Sequence, residues 1–216
     1  MEQSLTDLDH VIVHPSRPLV IVDVDEVLAK FMAGFERFIG RHGYEMRVER
    51  FALFQNIYPA GATDHVGLER GVELFNSFFE HGADDLEPAE GAADALADIS
   101  GRADVVILTN APPHGRQARS GWLKTHGFDY PLVINSGLKG PAAAELSRRT
   151  AGASAFIDDL LPNLESVAEA APAVTRFQMV ADERLRPLAP CAPERHARHD
   201  EWPALKAAIE AKLFSR

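Results

Sequence analysis

Asp23 and Asp25 stand one residue apart at the end of the apolar run Leu19-Val20-Ile21-Val22. In an extended chain alternate side chains share a face, so both carboxylates point into one small volume. Two acids held that close repel each other, and a divalent cation with a taste for oxygen ligands relieves the repulsion. A pair with one protonated and one ionised carboxyl is also what proton-transfer chemistry uses. An Asp after a strand serves equally well as a helix N-cap, so the pair acquires meaning only from the rest of the chain.

Three later segments supply that context. Val105-Val106-Ile107-Leu108 reads as a second buried strand and ends in Thr109-Asn110; Ala155-Phe156-Ile157 reads as a third and ends in Asp158-Asp159. Between them, Asn135-Ser136-Gly137-Leu138-Lys139-Gly140-Pro141 sets one lysine in a Gly-flanked turn before a helix. In order and residue type these segments resemble the four motifs of the haloacid dehalogenase (HAD) superfamily of phosphohydrolases: Asp-x-Asp, Thr or Ser, Lys, and a terminal acidic pair. The resemblance spans residues 19 to about 165.

The resemblance implies a function and a set of roles. Asp23 is the expected nucleophile, forming an aspartyl-phosphate, and Asp25 the expected acid and then base. Thr109, the Asn110 backbone N–H and Lys139 are expected to bind phosphoryl oxygens. Mg²⁺ is the expected cofactor, held by Asp23, the Asp25 carbonyl and the Asp158-Asp159 pair. The partner is then a small-molecule phosphate ester. Asp25 argues against dehalogenation, because a halide leaves without a proton. The stretch Asp25-Glu26-Val27-Leu28-Ala29 is similar to the Asp-Gly-Val-Leu-Ala of deoxyribonucleotidase-like members, with Glu26 in place of the glycine. A 5′-nucleotidase is therefore one alternative; a phospho-ligand binding or regulatory module with little turnover is another.

Composition narrows the field. A chain of 216 residues, 46% hydrophobic and 25% charged, fits one globular domain or one domain with an insert. Net charge of −10 and the lack of a basic block argue against nucleic-acid or anionic-membrane surfaces. The single cysteine, Cys191, excludes an intrachain disulfide and reads as a loop thiol. Residues 1–7 show no secretory signal and no apolar run approaches a membrane span, so the cytoplasm is the expected compartment. The oligomeric state stays open.

Positioning the acids requires a parallel α/β sheet. Strand signals near 19–22, 105–108, 132–134, 154–157 and 175–180 alternate with helix signals near 89–100, 114–126, 141–151, 162–170 and 203–213. This is a Rossmann-like sheet flanked by helices, whose carboxyl edge is where such sheets bind ligands. Residues 29–87 break the rhythm with two phenylalanine-rich helical stretches, Ala29–Gly43 and Asp64–Phe79. The expected division is a core of residues 1–28 and 88–216 with a helical cap at 29–87, its phenylalanines filling a small core or lining the site. The tail 182–199 reads as an exposed loop, and His196 and His199 are not taken as a metal site.

Overall fold

The apolar runs fold into one sheet. The computed structural model describes residues 8–214, so the segment read for a secretory signal lies outside the described residues. In chain order the elements are β1 (Leu19–Val22), α1 (Phe31–Gly40), β2 (Tyr44–Met46), β3 (Ile57–Pro59), α2 (Leu68–His81), α3 (Ala92–Ser100), β4 (Asp104–Asn110), α4 (Arg116–Thr125), β5 (Leu132–Asn135), α5 (Gly140–Ser147), β6 (Ser154–Asp158), α6 (Leu161–Ala170), β7 (Thr175–Gln178), β8 (Ala197–Arg198) and α7 (Trp202–Leu213). Six strands form a parallel sheet in the order β5-β4-β1-β6-β7-β8.

Strand alternation splits the core in two. Leu19 and Ile21 join Val106, Leu108 and Phe156 in a cluster closed by α5 and α6. Val20 and Val22 join Val105, Ile107, Ala155 and Ile157 in a larger cluster on the other face, with α3, α4 and α7. A sheet buried on both faces accounts for the uninterrupted apolar runs. Pro141, Pro162 and Pro203 each occupy the first turn of a helix, where proline's missing N–H is not needed.

The chain departs at Ala29 and returns at Pro88 side by side: Lys30 N–H donates to Glu87 O at 2.9 Å and Ala89 N–H to Leu28 O at 2.8 Å. Within the insert, α1 and α2 pack through phenylalanines, the Phe78 ring meeting Phe31, Phe35 and Phe38 edge-on at 5.4 to 5.5 Å. These rings belong to the same continuous apolar cluster as Val20 and Val22. The insert carries strands that the helical cap expected from its sequence did not include: β2 and β3 pair antiparallel, Met46 opposite Ile57. Strands of three residues carry too little period-two pattern to be read.

The tail corrects a second expectation. It does not simply wrap the surface: Leu185, Ala189, Ala192 and His196 are buried, and Ala197–Arg198 adds the edge strand β8. His196 is held by Glu165 Oε1 at 3.1 Å and by the Arg176 guanidinium at 3.2 Å, which gives its ring polar partners inside the fold. Among the described residues no helix is long and apolar enough to cross a membrane.

Candidate active site

The motif residues meet at the carboxyl edge of β1, β4 and β6. Asp23 leaves β1 one residue past the ladder, its N–H donating to Ile157 O at 3.0 Å, and Asp158 ends the neighbouring β6. Lys139, immediately before α5, reaches between them: its ammonium lies 2.7 Å from Asp23 Oδ1 and 2.7 Å from Asp158 Oδ2. All three side chains are buried. Burial alone would push Lys139 down, but the charges of Asp158 and Asp23 outweigh it and hold the ammonium well above its ordinary value.

A turn built for the purpose fixes this lysine. Asn110 and Asn135 end the paired strands β4 and β5, and each donates its side-chain amide to Gly137 O, at 3.0 and 2.9 Å. Gly137 has φ +80, a conformation that suits a residue without Cβ. Gly140 lets α5 press against α6, since a Cβ there would lie 2.3 Å from Ser166 O. Asn163, on the first turn of α6, donates to both oxygens of Asp158 at 3.0 and 3.2 Å, and Leu160 N–H adds a third bond at 2.9 Å.

Even so, the acids outnumber their partners. Asp23, Asp158 and Asp159 each offer a carboxylate oxygen within 4.8 Å of the others. Burial, followed by the charge of Asp23, raises Asp158 to about 6 despite Lys139, and burial with the charges of Asp158 and Asp23 raises Asp159 well above its ordinary value. A hard divalent cation, which binds carboxylate oxygens, fits this donor set and would offset the surplus charge. The Asp25 side chain stands outside the cluster. It is 23% exposed and takes both of its bonds from Arg119 Nη2 of α4, at 2.7 and 2.8 Å. Burial lifts the Asp25 carboxyl above its usual value, and Arg119 opposes the rise without cancelling it.

Thr109 lies on β4 with its hydroxyl fully buried and without a partner among the described residues. Glu26 takes a role that its sequence position only hints at. It is the one described non-glycine residue with positive φ, at +59, in the place where the resemblance expects glycine. Its carboxylate turns inward and accepts Met32 N–H at 2.7 Å, in the first turn of α1, and Asp182 N–H at 2.8 Å, in the tail. Its backbone carbonyl accepts Ala181 N–H at 2.8 Å. Burial pushes Glu26 up to about 7 against those two bonds.

A cavity of about 190 Å³ opens over the site, with Asp23, Asp25, Lys139 and Asp159 at one end. The sequence did not mark Arg119, Asn135, Asn163 or Leu185 as parts of this neighbourhood. The asparagines sit at the end of β5 and on the first turn of α6, places where a polar residue beside a motif is a usable sign; Arg119 and Leu185 carry none.

Comparison with protein-family models and with curated proteins finds no match. Comparison with solved structures does. A haloacid dehalogenase-like protein of unknown function from Agrobacterium tumefaciens superposes with a TM-score of 0.57 at 17% identity, over 89% of this chain and 97% of that one. The fold is the haloacid dehalogenase-like fold. A Lactobacillus plantarum protein provisionally called a phosphoglycolate phosphatase gives 0.53 at 14% identity, over 88% and 98% of the two chains. A Bacillus subtilis protein provisionally called a HAD-hydrolase, whose structure holds magnesium, gives 0.51 at 16% identity over 91% and 99%. The HAD-like fold thus accounts for the parallel sheet and the helices that flank it.

Proposed function

We propose that this protein is a Mg²⁺-dependent phosphatase that hydrolyses a small-molecule phosphate monoester through an aspartyl-phosphate on Asp23. The observation that carries this reading is the Lys139 ammonium shared by Asp23 and Asp158 at 2.7 Å each. It fixes one oxygen of the proposed nucleophile and leaves a buried cluster of acids suited to a metal. Asp23, Asp158, Asp159 and the Asp25 carbonyl would hold Mg²⁺, which when bound neutralises charge on the phosphoryl oxygens.

The remaining chemistry belongs to the chain. An Asp23 carboxylate oxygen attacks phosphorus while the ester P–O bond breaks, and the Asp25 carboxyl gives its proton to the departing alkoxide. The ionised Asp25 then takes a proton from water as that water attacks the aspartyl-phosphate, releasing orthophosphate and restoring Asp23. Partial burial favours the protonated form of Asp25 needed first, and Arg119 favours the carboxylate needed second. Thr109 Oγ1 and the Asn110 N–H serve as donors to phosphoryl oxygens. The insert 29–87 acts as a cap, and the enzyme works in the cytoplasm.

Phosphate release from a panel of esters, with and without Mg²⁺, tests the reading. Mg²⁺-dependent release that Asp23→Asn abolishes supports it; a protein that binds esters without hydrolysing any would instead be the regulatory module.

A further inference from the structure

The phosphatase reading uses only one end of the cavity. The other end is apolar: Phe31, Met32, Phe51 and Leu53 come from the insert, Leu185 from the tail and Leu160 from the loop before α6. Met32 and Leu185 belong to a small buried cluster of their own, against which Phe51 and Leu53 pack. Tail and insert are tied together here by Glu26, which bonds Met32 N–H and Asp182 N–H, and by the Arg184 pairs to Asp182 and Glu36, both 2.7 Å. The wall is therefore held in place by the fold.

Charge at this end is one-sided. Lys139 is the sole cation among the cavity's lining residues, and it is committed to Asp23 and Asp158. Arg119 is committed to Asp25. A carboxylate or second phosphate reaching this end would find Glu26 and no uncommitted cation among the lining residues, and hydroxyls would lose water against aliphatic and aromatic carbon. The apolar space is small as well. An apolar cavity of about 150 Å³ accommodates benzene, so about 190 Å³ shared with a phosphoryl group gives full apolar contact to a short chain or a single small ring.

We propose that the ester hydrolysed at this site carries a short, uncharged, apolar organic group, selected by Phe51, Leu53 and Leu185. This rests on the phosphatase reading, and extends it from phosphate to the alcohol it is attached to. It also sets this chain apart from an enzyme for acidic or nucleoside phosphates.

The test compares kcat/KM in Mg²⁺ for n-butyl phosphate, glycerol 1-phosphate, phosphoglycolate and a nucleoside 5′-monophosphate. All have alkyl leaving groups, so differences report the pocket. We expect n-butyl phosphate to lead each of the others by about tenfold or more, in line with the transfer of a few methylenes from water. Leu53→Lys, which puts a cation at the apolar end, should move the ratio of phosphoglycolate to n-butyl phosphate upward by about tenfold. Phe51→Ala adds no charge and should lower n-butyl phosphate turnover several-fold while sparing glycerol 1-phosphate, which keeps the test open if Leu53→Lys fails to fold. Equal or better turnover of the acidic or polyhydroxy esters by the wild type, or uniform scaling in both variants, would overturn the proposal. Absence of phosphate release from every ester would instead overturn the phosphatase reading, and this proposal with it.

Discussion

Arg119 donates from a single guanidinium nitrogen to both carboxylate oxygens of Asp25, at 2.7 and 2.8 Å. Arg119 is buried, its Nε has no partner among the described residues, and its guanidinium carbon sits 5.1 Å from the centre of the Phe79 ring. Asp25 is the carboxylate that pairs with this buried cation. The proposed proton carrier is thereby oriented by a residue on α4, an element that supplies none of the four motifs.

Removing this cation should affect both protonation and stability. Arg119→Gln leaves Asp25 without its opposing charge, so its carboxyl rises further and the limb of the kcat profile that Asp25 sets moves to higher pH. Stability should fall by about 2 kcal/mol, below the usual cost of a broken buried pair because Asp25 keeps part of its solvent. A pH profile superimposable on that of the wild type would remove Asp25 from proton transfer.

Metal binding should be linked to protons. Burial raises Asp158 to about 6 and Asp159 well above the unfolded value. Groups of this sign favour the fold most below about pH 4, and their contribution is lost as pH rises through their folded values. Without metal, stability should therefore decline from pH 4.5 toward 7.5, and Mg²⁺ should restore it at the upper end and do little at the lower. Mg²⁺ affinity should drop about tenfold per pH unit below 6 for each proton displaced. Calorimetry in buffers of different ionisation enthalpy reads the proton release directly, and a pH-independent affinity would place the metal elsewhere.

Glu26 supports an unusual ordering of variants. Both Glu26→Ala and Glu26→Gly lose the bonds to Met32 and Asp182 N–H, a cost of about 2–4 kcal/mol for two bonds to a charged acceptor. Only Gly relieves the φ of +59, by about 1 kcal/mol. Urea unfolding should thus rank wild type above Gly and Gly above Ala. Ala equal to or above Gly would show that the turn stores no backbone strain.

Much of this was legible in sequence for a physical reason. A buried parallel strand must be apolar along its length, so Leu19–Val22, Val105–Leu108 and Ala155–Ile157 announce themselves, and polar residues directly after them fall at the ligand-binding edge. Asp23, Asp25, Thr109, Asn110, Lys139, Asp158 and Asp159 follow from that rule combined with the resemblance. What stayed hidden depends on contacts distant in sequence. Glu26 looks like added bulk and charge beside the site until Ala181 and Asp182 are folded against it. Arg119 is one polar residue on a helix whose partner lies on another element. His196 reads as part of a solvated loop because β8 is only two residues long and its burial comes from Glu165 and Arg176.

In the proposed mechanism Asp23 carries the phosphoryl group between the two steps. Acid-quenching the protein during turnover of an ester in Mg²⁺, followed by mass mapping of the peptides, tests it most directly. A hydroxylamine-labile phosphoryl group is expected on the peptide bearing Asp23, enriched when Asp25→Asn slows its hydrolysis and absent from Asp23→Asn. A phosphoryl group on any other residue, or undiminished phosphate release by Asp23→Asn, would contradict it.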